Sequence, residues 1–443
     1  MKKIYIAAVA VLFSVAAFSQ TKDAYEMMVN GVKVIVQPSG NDIVVIRTVI
    51  KGGVQNYTPD KAGIENLAIT ALTECGTTKD SKNSFKDKLD LVTAQVGGTS
   101  GMSFAYLNLN CIKSDFETVW PLYVDAMTTP AFDEKEFDRI RQDAVNAIRA
   151  TESNPDAAID KMAKQTAFAG KDYAKDPQGT VETVSKLTAS ATKKYWESIF
   201  NRGRMVIVVV ADLDKNLIEK KVKEFLAKVP AGTPFVAKKT TYQPAANSFK
   251  SQERENATNY VQGITAGPMP GTPEYNAFSL AMNIFSSRHF VEIRSKNGLS
   301  YAPGAWLTTG NTTYSNIYVT TTEPDKYIAI ARALIDKVKK EGFTAEELKN
   351  EKTSYLTGIY YQQETNNAQA ASLASNEVIH GDWKRAVNLK DEVNKVTLDQ
   401  LNTVFKKYIN NITWVYQGDP KKVTPMMYTQ KQTPPIPEEK KAF

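Results

Sequence analysis

This 443-residue chain contains only two histidines, His289 and His380. A catalytic zinc is usually held by three protein ligands, mainly histidine with glutamate or cysteine, and keeps one position open for water. A Ser-His-Asp hydrolase also needs a histidine. No two histidines stand four residues apart on a predicted helix, and His380 precedes Gly381 where a helix is expected to end. Neither histidine is therefore predicted to be catalytic.

The stretch 294–302 carries polar groups that suit peptide binding. Arg294 is expected to close a helix, Gly298 suits the position after that helix, and Tyr301 is expected to open the next strand. The arginine and tyrosine side chains would then project into one space. A guanidinium and a hydroxyl suit a peptide carbonyl or a developing oxyanion. Residue types alone favour a plainer alternative, a helix-end arginine beside a packed tyrosine.

Carboxylates and cysteines identify no site on their own. Glu65 and Glu74 share one predicted helix without an evident acidic or metal partner, so both are expected to face solvent. Cys75 and Cys111 have apolar neighbours, and they would either pair in an exported protein or remain buried thiols. The sequence contains no zinc-ribbon or redox spacing of cysteines, no phosphate loop and no dinucleotide fingerprint.

The elements that position these residues occur twice along the chain. Residues 132–137 open a long helix, and residues 343–348 open a similar one. The strand and turn at 205–212 likewise match 413–419, and both pairs lie about 210 residues apart, which is the size of a domain. Strands that alternate with long helices predict an α+β fold of two homologous domains. Each domain is expected to be a mixed, mainly antiparallel sheet with helices packed on it.

The first 19 residues have the pattern of a secretory signal peptide. Lys2 and Lys3 precede an apolar run, and small residues before Gln20 suit cleavage after Ser19. The run is short for the roughly 20 apolar residues of a membrane anchor, and no later segment is predicted to span a bilayer. We therefore expect an exported protein, most simply a periplasmic one. The chain has a net charge of +7 but contains no cluster of basic residues, so no nucleic-acid partner is expected.

The predicted division of the chain follows from composition and from the repeat. It consists of a signal peptide at 1–19, an N-terminal domain at 20–232, a linker at 233–255, a C-terminal domain at 256–425 and a tail at 426–443. The linker is assigned because Pro, Gly, Lys and Thr dominate its composition.

The helix predicted at 63–77 resembles the zinc-binding helix of the insulinase/pitrilysin peptidases, with Lys-Ala-Gly at its start and Gly-Thr at its end. In that family the helix carries an inverted zinc motif, H-x-x-E-H, and a further glutamate ligand lies on the long helix that follows. The motif positions correspond here to Asn66, Ile69 and Thr70, and the further ligand to Ala147. The resemblance thus implies the fold of a zinc peptidase without its metal ligands, and no cofactor bound by this chain.

The run from Arg294 to Tyr301 is similar to the R-x-x-x-G-L-x-Y segment in the second domain of the same family. There, the arginine and tyrosine reach across a clamshell chamber to a peptide held on zinc. The resemblance therefore implies that Arg294 and Tyr301 bind substrate, in a chain that forms half of a clamshell.

Some members of that family work as pairs, in which one subunit keeps the zinc motif and the other keeps only the arginine and tyrosine. The resemblance therefore implies a non-catalytic, substrate-binding subunit of a heterodimeric zinc metalloendopeptidase that acts on peptides or unfolded polypeptides. A homologous partner subunit would bring the zinc. One alternative is a peptide-binding or structural clamshell protein with no role in proteolysis. Another is a homodimeric protease with unrecognised chemistry.

Overall fold

The computed structural model describes residues 23–433, so the predicted signal peptide lies outside the described residues. The strands of the described chain are β1 (Tyr25–Val29), β2 (Val32–Pro38), β3 (Ile43–Lys51), β4 (Gln95–Ser100), β5 (Phe104–Ile112), β6 (Met205–Ala211), β7 (Thr240–Thr241), β8 (Ser248–Glu253), β9 (Asn259–Ala266), β10 (Gly304–Thr308), β11 (Thr312–Thr321) and β12 (Thr413–Gly418).

The α-helices of the same part of the chain are α1 (Ile64–Glu74), α2 (Lys82–Asp90), α3 (Phe116–Thr128), α4 (Glu134–Ser153), α5 (Pro155–Ala167), α6 (Val181–Ser185), α7 (Ala189–Ile199), α8 (Lys215–Leu226), α9 (Glu274–Phe290), α10 (Pro324–Glu341), α11 (Ala345–Gln362), α12 (Asn366–Ser375), α13 (Arg385–Asn394), α14 (Leu398–Tyr408) and α15 (Met426–Thr429). Short 3-10 and π-helical turns join several of them.

The two sheets share one five-stranded topology, to which the first sheet adds β1 at its edge. The first has the order β1-β2-β6-β3-β5-β4, and the second has the order β8-β12-β9-β11-β10. Each sheet is antiparallel except for one parallel pair, β2 with β6 in the first and β8 with β12 in the second. The short β7 also runs parallel to the start of β11. The predicted duplication into two mixed, mainly antiparallel sheets is confirmed.

One helix from each half of the chain packs on the sheet of the other half, where the first half contains the first sheet and the second half contains the second sheet. Helix α5 belongs to the first half but packs on β9 and β12 of the second sheet, and α12 belongs to the second half but packs on β3 and β6 of the first. Leu373 and Trp383 accordingly join Val45 and Val208 in one buried cluster. Because β3 and β6 are covered on both faces, their sequences are almost continuously apolar instead of alternating. The exchange places both sheets in one continuous body.

The segment predicted as a linker is more ordered than its composition indicates. Within 233–255, β8 forms the edge of the second sheet beside β12. Only Phe249 in that strand is apolar, and the strand is mostly exposed, so it has no hydrophobic pattern for sequence reasoning to detect. The described part of the predicted tail also belongs to the second half, because α15 buries Tyr428, whose hydroxyl donates to the backbone oxygen of Pro324.

Three local details of the structure differ from the sequence patterns. The glycines at 97–101 predict a hairpin turn, but Gly97 and Gly98 lie in β4, where a Cβ at Gly98 would stand only 1.9 Å from the carbonyl oxygen of Tyr106. A helix is predicted at 185–200, but α7 begins only at Ala189, where the side chain of Thr188 caps it, and Ser185 ends the separate α6. No helix is predicted at 385–394, where α13 lies. No helix within 23–433 is both long and apolar enough to cross a membrane.

Candidate functional site

Helix α1 occupies the place of a zinc helix, but its side chains tie it to the sheet. The side-chain oxygen of Asn66 accepts from the hydroxyl of Thr99 at 3.1 Å and from the backbone nitrogen of Ser100 at 3.4 Å. The hydroxyl of Thr70 donates to the backbone oxygen of Asn66 at 2.9 Å, and Ile69 is buried. Asn66 therefore ties α1 to β4, Ile69 packs in the core, and Thr70 bonds within the helix.

These residues do not fit a zinc ion. Ala147 lies exposed on α4, a helix that contacts α1, and offers no ligand atom. An amide, an isoleucine, a threonine and an alanine replace the imidazoles and carboxylates that a catalytic zinc needs. Within 23–433, no group of three or more His, Cys, Asp or Glu residues is arranged to hold a metal ion.

Glu65 contradicts the expectation that it faces solvent. Its side chain is fully buried, and three side chains donate to it: Asn56 at 2.7 Å, Ser100 at 2.8 Å and the hydroxyl of Tyr195 at 2.5 Å. Arg204 completes the cluster by donating to Asn56 at 2.6 Å. Burial nevertheless raises the pKa of Glu65, against the lowering effect of these neighbours. The spacing of residues along the sequence could not predict this buried cluster, because the residues around Glu65 come from four separate elements.

Glu74, at the other end of α1, is also more than a solvent-facing charge. It forms ion pairs with Lys86 at 2.6 Å and Arg139 at 3.0 Å, which connect α1 to α2 and α4. Burial opposes ionisation of Glu74, but the two cations outweigh it and lower its pKa. Its role is to hold neighbouring helices together.

The two histidines occupy structural positions. The sequence predicts a helix that starts at Arg288, but His289 lies fully buried in the last turn of α9, with its Nε2 3.1 Å from the hydroxyl of Tyr327. Burial lowers its pKa to about 3. His380 lies at a helix end, and its Nδ1 accepts from the backbone nitrogen of Gly271 at 3.0 Å. Burial, then Arg385 and Lys239, lowers the pKa of His380 to about 4.

Arg294 and Tyr301 meet. Helix α9 runs on into a wider π-helical turn, Val291–Lys296, that holds Arg294, and Gly298 has the positive φ of +60° expected after such an end. Nη1 of Arg294 donates to the backbone oxygen of Tyr301 at 3.0 Å, and the guanidinium lies 4.0 Å from the centre of the Tyr301 ring and 5.1 Å from that of Phe290. Tyr301 itself lies in the loop before β10, not in the strand as predicted.

The pair is open to a ligand. The Tyr301 side chain is 78% exposed. Within 23–433, Arg294 forms no ion pair with a carboxylate, and the Tyr301 hydroxyl makes no hydrogen bond. The remaining guanidinium donors and the phenol hydroxyl are therefore free to meet a peptide carbonyl or carboxylate.

Cys75 and Cys111 are both free thiols and both buried. Burial raises the pKa of each to about 12. Of the two alternatives in the sequence, the structure has the buried thiols, and neither is activated as a nucleophile.

Comparison with known proteins identifies the family. The model of the insulinase family, peptidase family M16, matches residues 33–180, and the model of the peptidase M16 inactive domain matches residues 186–355. The chain belongs to the insulinase family. An uncharacterized zinc protease of Rickettsia felis is 21% identical to it over 387 residues, which cover 84% of this chain and 91% of that protein.

Solved members of the insulinase family have the same fold. The crystal structure of a peptidase M16 inactive domain from Pseudomonas fluorescens matches with a TM-score of 0.81 and 18% identity over 91% of this chain and 99% of that one. The periplasmic protease PqqL of Escherichia coli matches with a TM-score of 0.76 and 14% identity, and the match covers 94% of this chain but 49% of PqqL. This insulinase-family chain therefore has the two-domain fold of these structures, while its zinc-helix positions carry no metal ligands.

Proposed function

We propose that this protein is the non-catalytic, substrate-binding subunit of a heterodimeric zinc metalloendopeptidase that acts on peptides or unfolded polypeptides. The observation that carries the proposal is the Arg294–Tyr301 pair, which is stacked, exposed and without an acidic partner among the described residues. The zinc and the metal-bound water would belong to a homologous partner subunit. We further propose that the pair of subunits works in the periplasm.

The residues at the motif positions of α1 support a complex in which the zinc site and this chain's peptide-binding pair belong to different subunits. Asn66, Ile69 and Thr70 offer neither an imidazole nor a carboxylate at the motif positions, so this chain cannot assemble a zinc centre there. A family model named for an inactive domain matches the second half, which contains Arg294 and Tyr301. A subunit that lacks the metal but retains a peptide-binding pair contributes to a composite site.

The likeness to PqqL supports a partner and the compartment. That protease is described as periplasmic, and this chain matches about half of its length. A second chain with the same fold would supply the other half, which agrees with the two-subunit clamshell that the sequence predicts.

Arginine and tyrosine would have separate roles toward the peptide. The Arg294 guanidinium is already oriented by its bond to the Tyr301 backbone and by the ring beneath it, so less entropy is lost when it binds. The Tyr301 hydroxyl would add a donor beside it. Both groups can polarise a carbonyl oxygen that is held against a metal in the partner.

The decisive test pairs this chain with a homologue that has an intact H-x-x-E-H motif. Alone, the purified protein should hold no stoichiometric zinc by elemental analysis and should cleave no fluorogenic peptide. The pair should cleave it, and Arg294→Ala should lower turnover at least about tenfold, as expected when a charged hydrogen bond to the transition state is lost. Tyr301→Phe should lower it less, because the ring that supports Arg294 remains.

Lys406→Ala is the matched control, since it removes one exposed positive charge from the same half of the chain without touching the pair. Size-exclusion chromatography should show that all variants still associate with the partner. Chelator-sensitive cleavage by this chain alone would refute the proposal. Unchanged turnover in both the Arg294 and Tyr301 variants would favour the structural clamshell instead.

A further inference from the structure

A cavity of about 560 Å³ lies where the two halves and the segment between them meet. The first half contributes Gln55 and the stretch 168–173, the connecting segment contributes 238–242, and the second half contributes Met269 and Thr312. A volume of this size is typical of a small-molecule site. No residue of the Arg294–Tyr301 pair or of the α1 motif lines it.

The walls of this interdomain cavity are fixed by contacts across the halves. Gln55 exchanges two hydrogen bonds with the backbone of Lys238, at 2.6 Å and 3.0 Å. Thr240 bonds to Asn311 through its backbone and to Thr312 through its hydroxyl at 2.6 Å. The ring of Tyr242 packs on that of Phe168, with centres 4.9 Å apart. The backbone around the cavity is therefore held in place before any ligand arrives.

The charge of the cavity is positive. Lys171, Lys238 and Lys239 line it, and none of them forms an ion pair with another residue in the described chain. Asp172 is the single carboxylate of the lining, and Lys175 already pairs with it at 2.8 Å. Lys239 is half-buried, and that burial lowers its pKa. Lys171 and Lys238 are exposed, and a bound anion would favour the charged form of the half-buried Lys239.

We propose that the interdomain cavity binds a small polyanion that carries phosphate groups. Three ammonium groups provide point charges, which suit the several oxygens of a compact phosphate. The lining contains no arginine, so recognition would depend on the point charges of the lysines. Because both halves and the connecting segment form the walls, the bound anion would also hold the two halves together.

Pyrophosphate is the probe, measured by titration calorimetry and by thermal unfolding of the full mature chain at constant ionic strength. We expect saturable binding at one site and an unfolding temperature that rises with ligand concentration, since the ligand binds only the folded protein. The double variant Lys238→Gln/Lys239→Gln should weaken binding at least about tenfold, as expected when charged contacts are lost. Lys171→Gln tests the part of the lining that the first half contributes, and it should also weaken binding.

The matched control is Lys220→Gln/Lys228→Gln, which removes the same charge from exposed positions elsewhere. Equal weakening in both double variants, or a shift that never saturates, would overturn the proposal as general ionic screening. Citrate is a carboxylate ligand for comparison. If citrate binds as tightly as pyrophosphate, the assignment to phosphate is overturned. A nucleoside diphosphate separates two supporting outcomes: tighter binding than pyrophosphate indicates a phosphorylated organic ligand, and equal binding indicates that only the phosphates are recognised.

Discussion

Replacement of Glu65 by alanine should destabilise the protein strongly, although this residue was expected to lie on the surface. The substitution leaves the Asn56, Ser100 and Tyr195 donors without their acceptor and opens a cavity under α1. A buried donor without a partner costs about 1–3 kcal/mol. Because the three donors can partly rearrange, we expect a total loss of about 3–5 kcal/mol, within the range found when one member of a buried polar cluster is removed. That is a large share of the roughly 5–15 kcal/mol by which folded proteins are stable.

Urea unfolding followed by circular dichroism measures the effect, with Glu74→Ala as the control on the same helix. Glu74 forms partly exposed ion pairs, so its removal should cost about 1 kcal/mol or less. Equal losses for the two alanine variants, or a loss below about 1 kcal/mol for Glu65→Ala, would refute the role of the buried cluster.

Glu65→Gln separates the charge of the side chain from its shape. Because burial raises the pKa of Glu65 above the ordinary 4.5, the folded protein holds this proton more tightly than the unfolded chain does. The contribution of Glu65 to the unfolding free energy is therefore fully present below pH 4.5 and is lost as the pH rises through the raised pKa. The wild type minus Glu65→Gln difference should fall with rising pH in that window. A difference that rises with pH would show that the folded state favours the charged carboxylate.

Two further predictions test the buried core. Burial lowers the pKa of His289 from 6.5 to about 3, so the folded protein resists protonation of this side chain. Its contribution to the unfolding free energy is present above pH 6.5 and is lost as the pH falls toward 3. His289→Gln should therefore flatten the pH dependence of the unfolding free energy between these values, and an unchanged slope would contradict the prediction. Leu373→Asp should lower the free energy of unfolding by at least about 3 kcal/mol, because it places a charge between α12 and the first sheet. The variant should also expose that sheet to a hydrophobic dye. The same change at Leu91, which is 84% exposed, should have little effect. Equal unfolding midpoints for the two aspartate variants would contradict the exchange of helices.

The repeated order of elements was predictable because long helices and buried strands carry strong periodic signals. The edge strand β8 was missed for the opposite reason: it buries little, so a polar sequence is compatible with it. The exchange of α5 and α12 between the halves was also beyond sequence reasoning. An apolar helix face shows that a helix packs, but not on which of two similar sheets it packs.

The candidate site shows the same limit at the level of single residues. The positions of Arg294 and Tyr301 relative to Gly298 predicted that the two side chains meet, because their spacing along the chain is short. The stacking of the guanidinium on the ring, and the loop conformation of Tyr301, depend on the π-helical turn, which no local pattern predicts. The three side chains that donate to Glu65 come from separate elements, two of them 35 and 130 residues away, so its burial was visible only in three dimensions.

Stability accounts for α1 but not for the Arg294–Tyr301 pair. In α1, each former ligand position is now buried or hydrogen-bonded, so packing alone explains the residues found there. At the pair, the phenol is exposed and the guanidinium has no carboxylate partner in the described chain, an arrangement worth only about 0.5–1 kcal/mol to folding. An exposed aromatic ring that orients an unpaired cation adds little to the fold, but it reduces the entropy cost of binding a peptide. The function of this protein is therefore best sought in its second half.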